Sequence, residues 1–93
     1  MVHVCYNHLG YYIRFKGKEF KNDARIAEAI GMPLGEYLAI LKNYYNASIL
    51  TIKNEYYGAA YFKKSEDVHK VADWINSQLV MVMLMKNNLE ESL

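Results

Sequence analysis

The stretch Ala24–Leu41, ARIAEAIGMPLGEYLAIL, decides how this chain is built. Ile26, Ala27 and Ile30 recur at helical spacing and mark the inner face of a short helix. Gly31 suits the left-handed residue that ends a helix, because it has no Cβ to collide with the next carbonyl. Pro33 suits the first turn of a following helix, where its missing backbone donor is not needed. Leu34, Tyr37, Leu38, Leu41, Tyr44 and Tyr45 then give that second helix an inward face, and Asn46 is a left-handed stop. This is helix-turn-helix spacing. The outward side of the second helix carries Gly35, Glu36, Ala39, Lys42 and Asn43, a set with little capacity to read a base edge.

On the N-terminal side, Val2 to Tyr6 favours a strand and Asn7-His8-Leu9-Gly10 a turn. Tyr11, Ile13 and Phe15 alternate with Tyr12 and Arg14, which predicts a second strand with two distinct faces. Lys16-Gly17-Lys18 reads as another tight turn, Glu19-Phe20 as a short returning strand, and Asn22 or Asp23 as the cap of the first helix. On the C-terminal side, Ser48 to Lys53 and Tyr56 to Phe62 form a hairpin through Lys53-Asn54-Glu55. Gly58, Ala59 and Ala60 thin its second strand, leaving room for close packing. Ser65 is placed to cap a long third helix, with Glu66 and Asp67 in the first turn, where the helix dipole favours negative charge. Val68, Val71, Ala72, Ile75 and Leu79 make its inward stripe, and Leu79–Met85 is apolar on every side.

The expected architecture is one α+β domain over residues 1–93. A small N-terminal antiparallel sheet (1–20) precedes a helix-turn-helix (22–46) and a hairpin wing (48–63). A C-terminal helix (65–86) and a frayed tail (87–93) follow.

Bulk properties narrow the functional classes. Ninety-three residues suffice for one modest core, and a 53% hydrophobic content excludes a disordered tail. The net charge of +1 and isoelectric point near 7.8 supply no global field towards nucleic acid or an anionic membrane. Cys5 is the only cysteine, so no intramolecular disulfide forms and nothing argues for an oxidising compartment. MVHVCYNH lacks the basic and apolar regions of a secretion signal. The longest apolar run is seven residues, against roughly 20 for a membrane span. A soluble, cytoplasmic protein is expected.

Two segments carry a family likeness. IAEAIG (Ile26 to Gly31) followed by MPLGEYLAIL, and YFKKSEDVHKVADWI (Tyr61 to Ile75), resemble the compact winged helix-turn-helix of phage excisionases and MerR-type regulators. MPLG is also similar to the helix-turn-helix of sigma factors. The likeness runs from about Asp23 to Ile75 and implies a strand–helix–turn–helix–hairpin–helix order. It also implies base- and phosphate-reaching side chains on the second helix, and here the sequence departs from it. Glu36 stands near the start of that helix, where it meets phosphate repulsively, and Glu55 dilutes Lys53 at the wing tip. Nine lysines against two arginines, with abundant Asn, Ile and Tyr, indicate a low-GC genome. The general texture is similar to that of small proteins of phages infecting low-GC bacteria.

Chemistry leaves little trace. His3, Cys5 and His8 lie close in sequence, but a tetrahedral zinc site needs four ligands and His69 stands apart on the third helix. No nucleophile elbow, phosphate-cradling glycine loop or framed carboxylate pair is present, so neither an enzyme nor a cofactor or metal is expected. Candidate partner contacts are Tyr12, Arg14, Lys16, Lys18, Glu36, Lys42, Asn43, Lys53, Tyr57, Lys63 and Lys64. Arg14, Lys16, Lys18, Lys21 and Arg25, with Lys53, Lys63 and Lys64, make either one positive surface or a solvated rim diluted by Glu19 and Asp23. Trp74, Gln78, Met81 and Met85 fall on a second stripe of the third helix and suit self-association, as a homodimer through that helix.

The leading expectation is a small non-enzymatic phage or mobile-element protein. It binds a host or phage protein and acts by occlusion, in the manner of an anti-CRISPR inhibitor of a defence nuclease. The surface needed is about 800 Å² per partner, within reach of a domain this size. One alternative is a winged-helix transcription regulator or excisionase-like factor that binds DNA through Lys42, Asn43, Lys53, Lys63 and Lys64. A virion structural or assembly protein is a third.

Overall fold

In the computed structural model, residues 2–16, 24–51 and 57–92 are described. The expected Glu19-Phe20 strand, the Asn22/Asp23 cap, the Lys53-Asn54-Glu55 turn, and Lys18 and Lys53 themselves lie outside them. The elements are β1 (Val4–Asn7), β2 (Gly10–Lys16), α1 (Ala24–Ile30), α2 (Leu34–Tyr45), β3 (Ser48–Thr51), β4 (Tyr57–Phe62) and α3 (Ser65–Ser92).

The two hairpins join into one antiparallel sheet of order β1-β2-β4-β3. The N-terminal hairpin is therefore no separate small sheet, because β2 pairs along its length with β4, from Tyr11↔Phe62 to Lys16↔Tyr57. The β1–β2 turn is tight, with Asn7 facing Gly10 across the ladder. Asn7 Oδ1 accepts from the Leu9 backbone N–H at 2.8 Å, and Gly10 takes a φ of 120° that side chains disfavour.

Alternation along the strands sorts the two faces. Ile13, Phe15, Ala60 and Phe62 point into the core, while Tyr12, Arg14, Ser48, Leu50 and Tyr61 share the opposite face. All three helices feed the core side. Ile26 and Ile30 of α1, Leu34, Tyr37, Leu38 and Leu41 of α2, and Val68, Val71, Ala72 and Ile75 of α3 are buried in one cluster with the sheet. Ala60 is fully buried at the centre of β4, where its small side chain allows the helices to approach closely.

Gly31 ends α1 at φ 78°, and the N–H groups of Gly31 and Met32 both reach the Ala27 carbonyl, at 2.9 and 3.2 Å. Pro33 stands one position earlier than the sequence suggests. It is the residue before the helix, and its carbonyl accepts from Glu36 and Tyr37. Asn46 ends α2 in the left-handed conformation at φ 59°. Ser65 likewise sits inside its helix rather than capping it. The Lys64 carbonyl takes the first bonds, while Ser65 Oγ lies 3.4 Å from His69 Nδ1.

The expected tail at 87–93 is a further correction, since α3 continues to Ser92. Nothing in Asn87–Ser92 breaks a helix, as neither Gly nor Pro occurs there. At about 1.5 Å per residue this helix is roughly 42 Å long. The molecule accordingly extends 49 Å along its longest axis. Its radius of gyration, 14.0 Å, exceeds the roughly 12 Å of a compact chain this size.

The N-terminus is clamped to α3 by one side chain. The Val2 N–H donates to Asn76 Oδ1, and Asn76 Nδ2 donates to the Val2 carbonyl, both at 2.9 Å. Val2 is buried, so removing the amide strands two backbone groups away from water. Asn76→Ala is expected to cost about 1–3 kcal/mol in urea unfolding and to accelerate hydrogen exchange in β1; Asn76→Gln, if it re-forms one bond, is expected to cost less.

Candidate functional site

The distinguishing surface of the molecule is apolar and lies along α2 and α3. Past Ile75, α1 supports one side of α3. Leu79 packs against the core, Val82 is half-buried, and Lys86 Nζ reaches Glu28 Oε2 of α1 at 3.1 Å. These positions recur at i, i+3 and i+7, one helical face. On the remaining faces, the described residues provide no such cover. Val80, Met81, Met83, Leu84 and Met85 are between 39% and 61% exposed. A helix apolar all round is a helix built to be buried all round, and this one is buried on one side only.

Trp74 carries this surface back to α2. Its ring stacks on that of Tyr37 with centroids 5.7 Å apart and planes at 26°. Together with Ile40, Leu41, Tyr44, Tyr45, Lys70 and Val71 the two rings line an open groove of about 410 Å³. Tyr44 is 78% exposed at its rim, while Tyr45 turns inward, edge-on to Phe62 at 5.9 Å. Ile40 and Trp74 remain nearly half exposed. The sequence assigned Tyr44 to the inner face of α2; of the two rings that close the helix, Tyr45 packs against the core and Tyr44 faces solvent.

The sequence-selected residues fall into separate places. Trp74, Met81 and Met85 line this exposed ridge and Gln78 is half-buried beside them. Glu36, Lys42 and Asn43 are exposed on α2, as its spacing requires. Arg14 is exposed and Tyr12 half-buried on the open sheet face. There Tyr12 packs against Tyr61 at 4.8 Å, and Asn7 Nδ2 donates to Tyr61 Oη at 3.0 Å.

The described part of the candidate positive surface does not gather in one place. Lys63 and Lys64 follow the Phe62 end of β4, whereas Lys16 pairs with Tyr57 at its other end, roughly 20 Å away along the strand. The side chains of Lys16 and Tyr57 lie outside the described set. Sequence reasoning missed Ile40 and the exposed Val80, Met83 and Leu84 as surface groups, since apolar residues at helical spacing read as core.

Among the described residues, no group of three His, Cys, Asp or Glu side chains lies close enough to share a metal ion. Cys5 is a free, half-buried thiol whose Sγ donates to the His3 carbonyl at 3.8 Å. No helix among those residues is long and apolar enough to cross a membrane. Neither a protein-family model nor any curated protein or solved structure matches the chain.

Tyr37 anchors the groove floor. Burial, reinforced by the neighbouring Tyr45 phenol, pushes its pKa up from 10.0 to about 12. The fold thus holds the neutral phenol. This contribution to stability is complete below pH 10, where the unfolded chain also keeps its proton, and is lost as pH rises through about 12. Between those limits the wild type is expected to lose about 2 kcal/mol more unfolding free energy than Tyr37→Phe, measured by urea denaturation at each pH.

Proposed function

We propose that this protein is a non-enzymatic protein-binding module that works through the apolar ridge of α2 and α3. The observation that carries the reading is the run of half-exposed large side chains from Ile40 and Tyr44 through Trp74 to Met81, Leu84 and Met85. Solvating such a surface is unfavourable, and apolar patches of this kind mark protein contacts. Tyrosine, tryptophan and methionine are also the residues that interfaces favour. The phage-like texture of the sequence supports a mobile-element origin. On that basis the downstream target is a host protein blocked by occlusion, a defence nuclease being the expected class.

The competing reading is a winged-helix DNA-binding regulator. It is favoured by the order β2-α1-α2-β3-β4 with β4 between β2 and β3, and by exposed Lys42 and Asn43 on α2. Two features weigh against it. Glu36 is exposed in the first turn of α2, and Lys63 and Lys64 sit at the end of β4 away from the hairpin turn. Both reduce the affinity for a phosphate backbone.

Fluorescence anisotropy with mixed-sequence duplex DNA at two salt concentrations separates the readings. No saturable binding at low salt is expected; tight binding with a steep salt slope identifies the regulator instead. In parallel, the wild type used as bait in a low-GC bacterial extract is expected to retain a stoichiometric protein that a Tyr44→Ser/Met85→Lys variant does not. Equal retention by both removes the ridge from the proposal.

A further inference from the structure

We infer that the ridge is a self-complementary seam whose first occupant is a second copy of this chain, with the two α3 helices antiparallel. The inference rests on reading the ridge as a protein-binding surface and names its partner. Trp74, Gln78, Met81 and Met85 follow one another at spacings of four, three and four, so they form a single stripe along α3. The stripe is bounded by the aromatic groove at its Trp74 end and by bare methionine at its Met85 end. A two-fold axis midway along it sets Met85 of each copy against the Trp74 end of the other, and Gln78 against Met81.

That arrangement satisfies both ends at once. A flexible thioether enters a groove walled by Tyr37, Tyr44 and Trp74, where sulfur–ring contacts are favourable. Ile40 and Tyr44, which belong to the body of the molecule, are covered by the projecting end of the partner helix. A parallel pairing instead sets Met85 against Met85 and leaves the groove unfilled. In the antiparallel form the two Gln78 residues sit about 4.5 Å apart along the shared direction. Their amides are then placed to bond across the axis, a polar contact that fixes register.

Size and charge agree with this occupant. Ile40, Tyr44, Trp74, Met81, Leu84 and Met85, at 42% to 78% exposure, offer on the order of 500 Å² per copy. Doubling that reaches roughly 1,000 Å², the lower bound of a specific interface. None of these six is charged; Lys70 also lines the groove, where its flexible stem can leave the ammonium in water while a second copy covers the rings. The small area predicts a dimer of moderate affinity rather than an obligate one.

Sedimentation equilibrium of the full chain, from the low micromolar to the submillimolar range, reads the assembly directly. The expected result is a monomer–dimer equilibrium, with Met81→Lys monomeric throughout and unchanged in far-ultraviolet circular dichroism. Orientation is read in a Cys5→Ser background. Gln78→Cys/Met81→Cys is expected to cross-link copies readily on mild oxidation, whereas Met85→Cys alone, whose thiols are then about 16 Å apart along the helices, is not. A wild type that stays monomeric overturns the pairing and leaves the protein-binding reading to the bait experiment. A folded Met81→Lys that remains dimeric, or rapid cross-linking of Met85→Cys, overturns the antiparallel seam.

Discussion

One buried stripe holds the fold together. Val68, Val71, Ala72 and Ile75 come from two successive turns of α3 and meet the core face of both central strands, Ile13 and Phe15 of β2 and Ala60 and Phe62 of β4. β1 is tied to the same helix through the Val2–Asn76 pair, and α1 leans chiefly on α3 rather than on α2. β1, β2, β4 and α1 therefore all refer back to one helix. The burial is contiguous, which is where close packing contributes most. It also fixes which side of α3 remains outside.

That constraint carries the functional argument. Because the proximal half of α3 must lie across the sheet, and the helix has no residue to break it, its distal half runs on beside α1, the element among the described residues that supports it. Val80, Met81, Met83, Leu84 and Met85 are then left 39% to 61% exposed. Trp74 sits at the junction, stacked on Tyr37 on one side and open to solvent on the other, so the projecting helix and the α2 groove become one surface. That exposed apolar surface is the observation on which the proposed protein-binding role rests.

The positive residues take the opposite course. They read as a cluster in sequence because Arg14, Lys16, Lys18, Lys21 and Arg25 follow closely upon one another. Among the described residues, strand geometry separates Arg14 from the lysines that follow β4. Arg14 stands on the open sheet face, while Lys63 and Lys64 lie beyond the end of β4 that pairs with the start of β2.

Local signals in the chain were sufficient for its punctuation and its inner faces. Gly31 and Asn46 take the left-handed conformations that their side chains permit, Ile13 and Phe15 alternate inward, and the α3 stripe from Val68 to Ile75 is buried as its spacing demands. These follow from backbone sterics and periodicity, which act over a few residues. Only the tertiary structure decided that two hairpins become one sheet, since strand pairing between β2 and β4 spans more than forty residues and no local pattern encodes it. It alone decided that Ile40, Tyr44 and the methionines of α3 stay outside. Periodicity tells which residues share a face, but whether that face is covered depends on where the rest of the chain runs out.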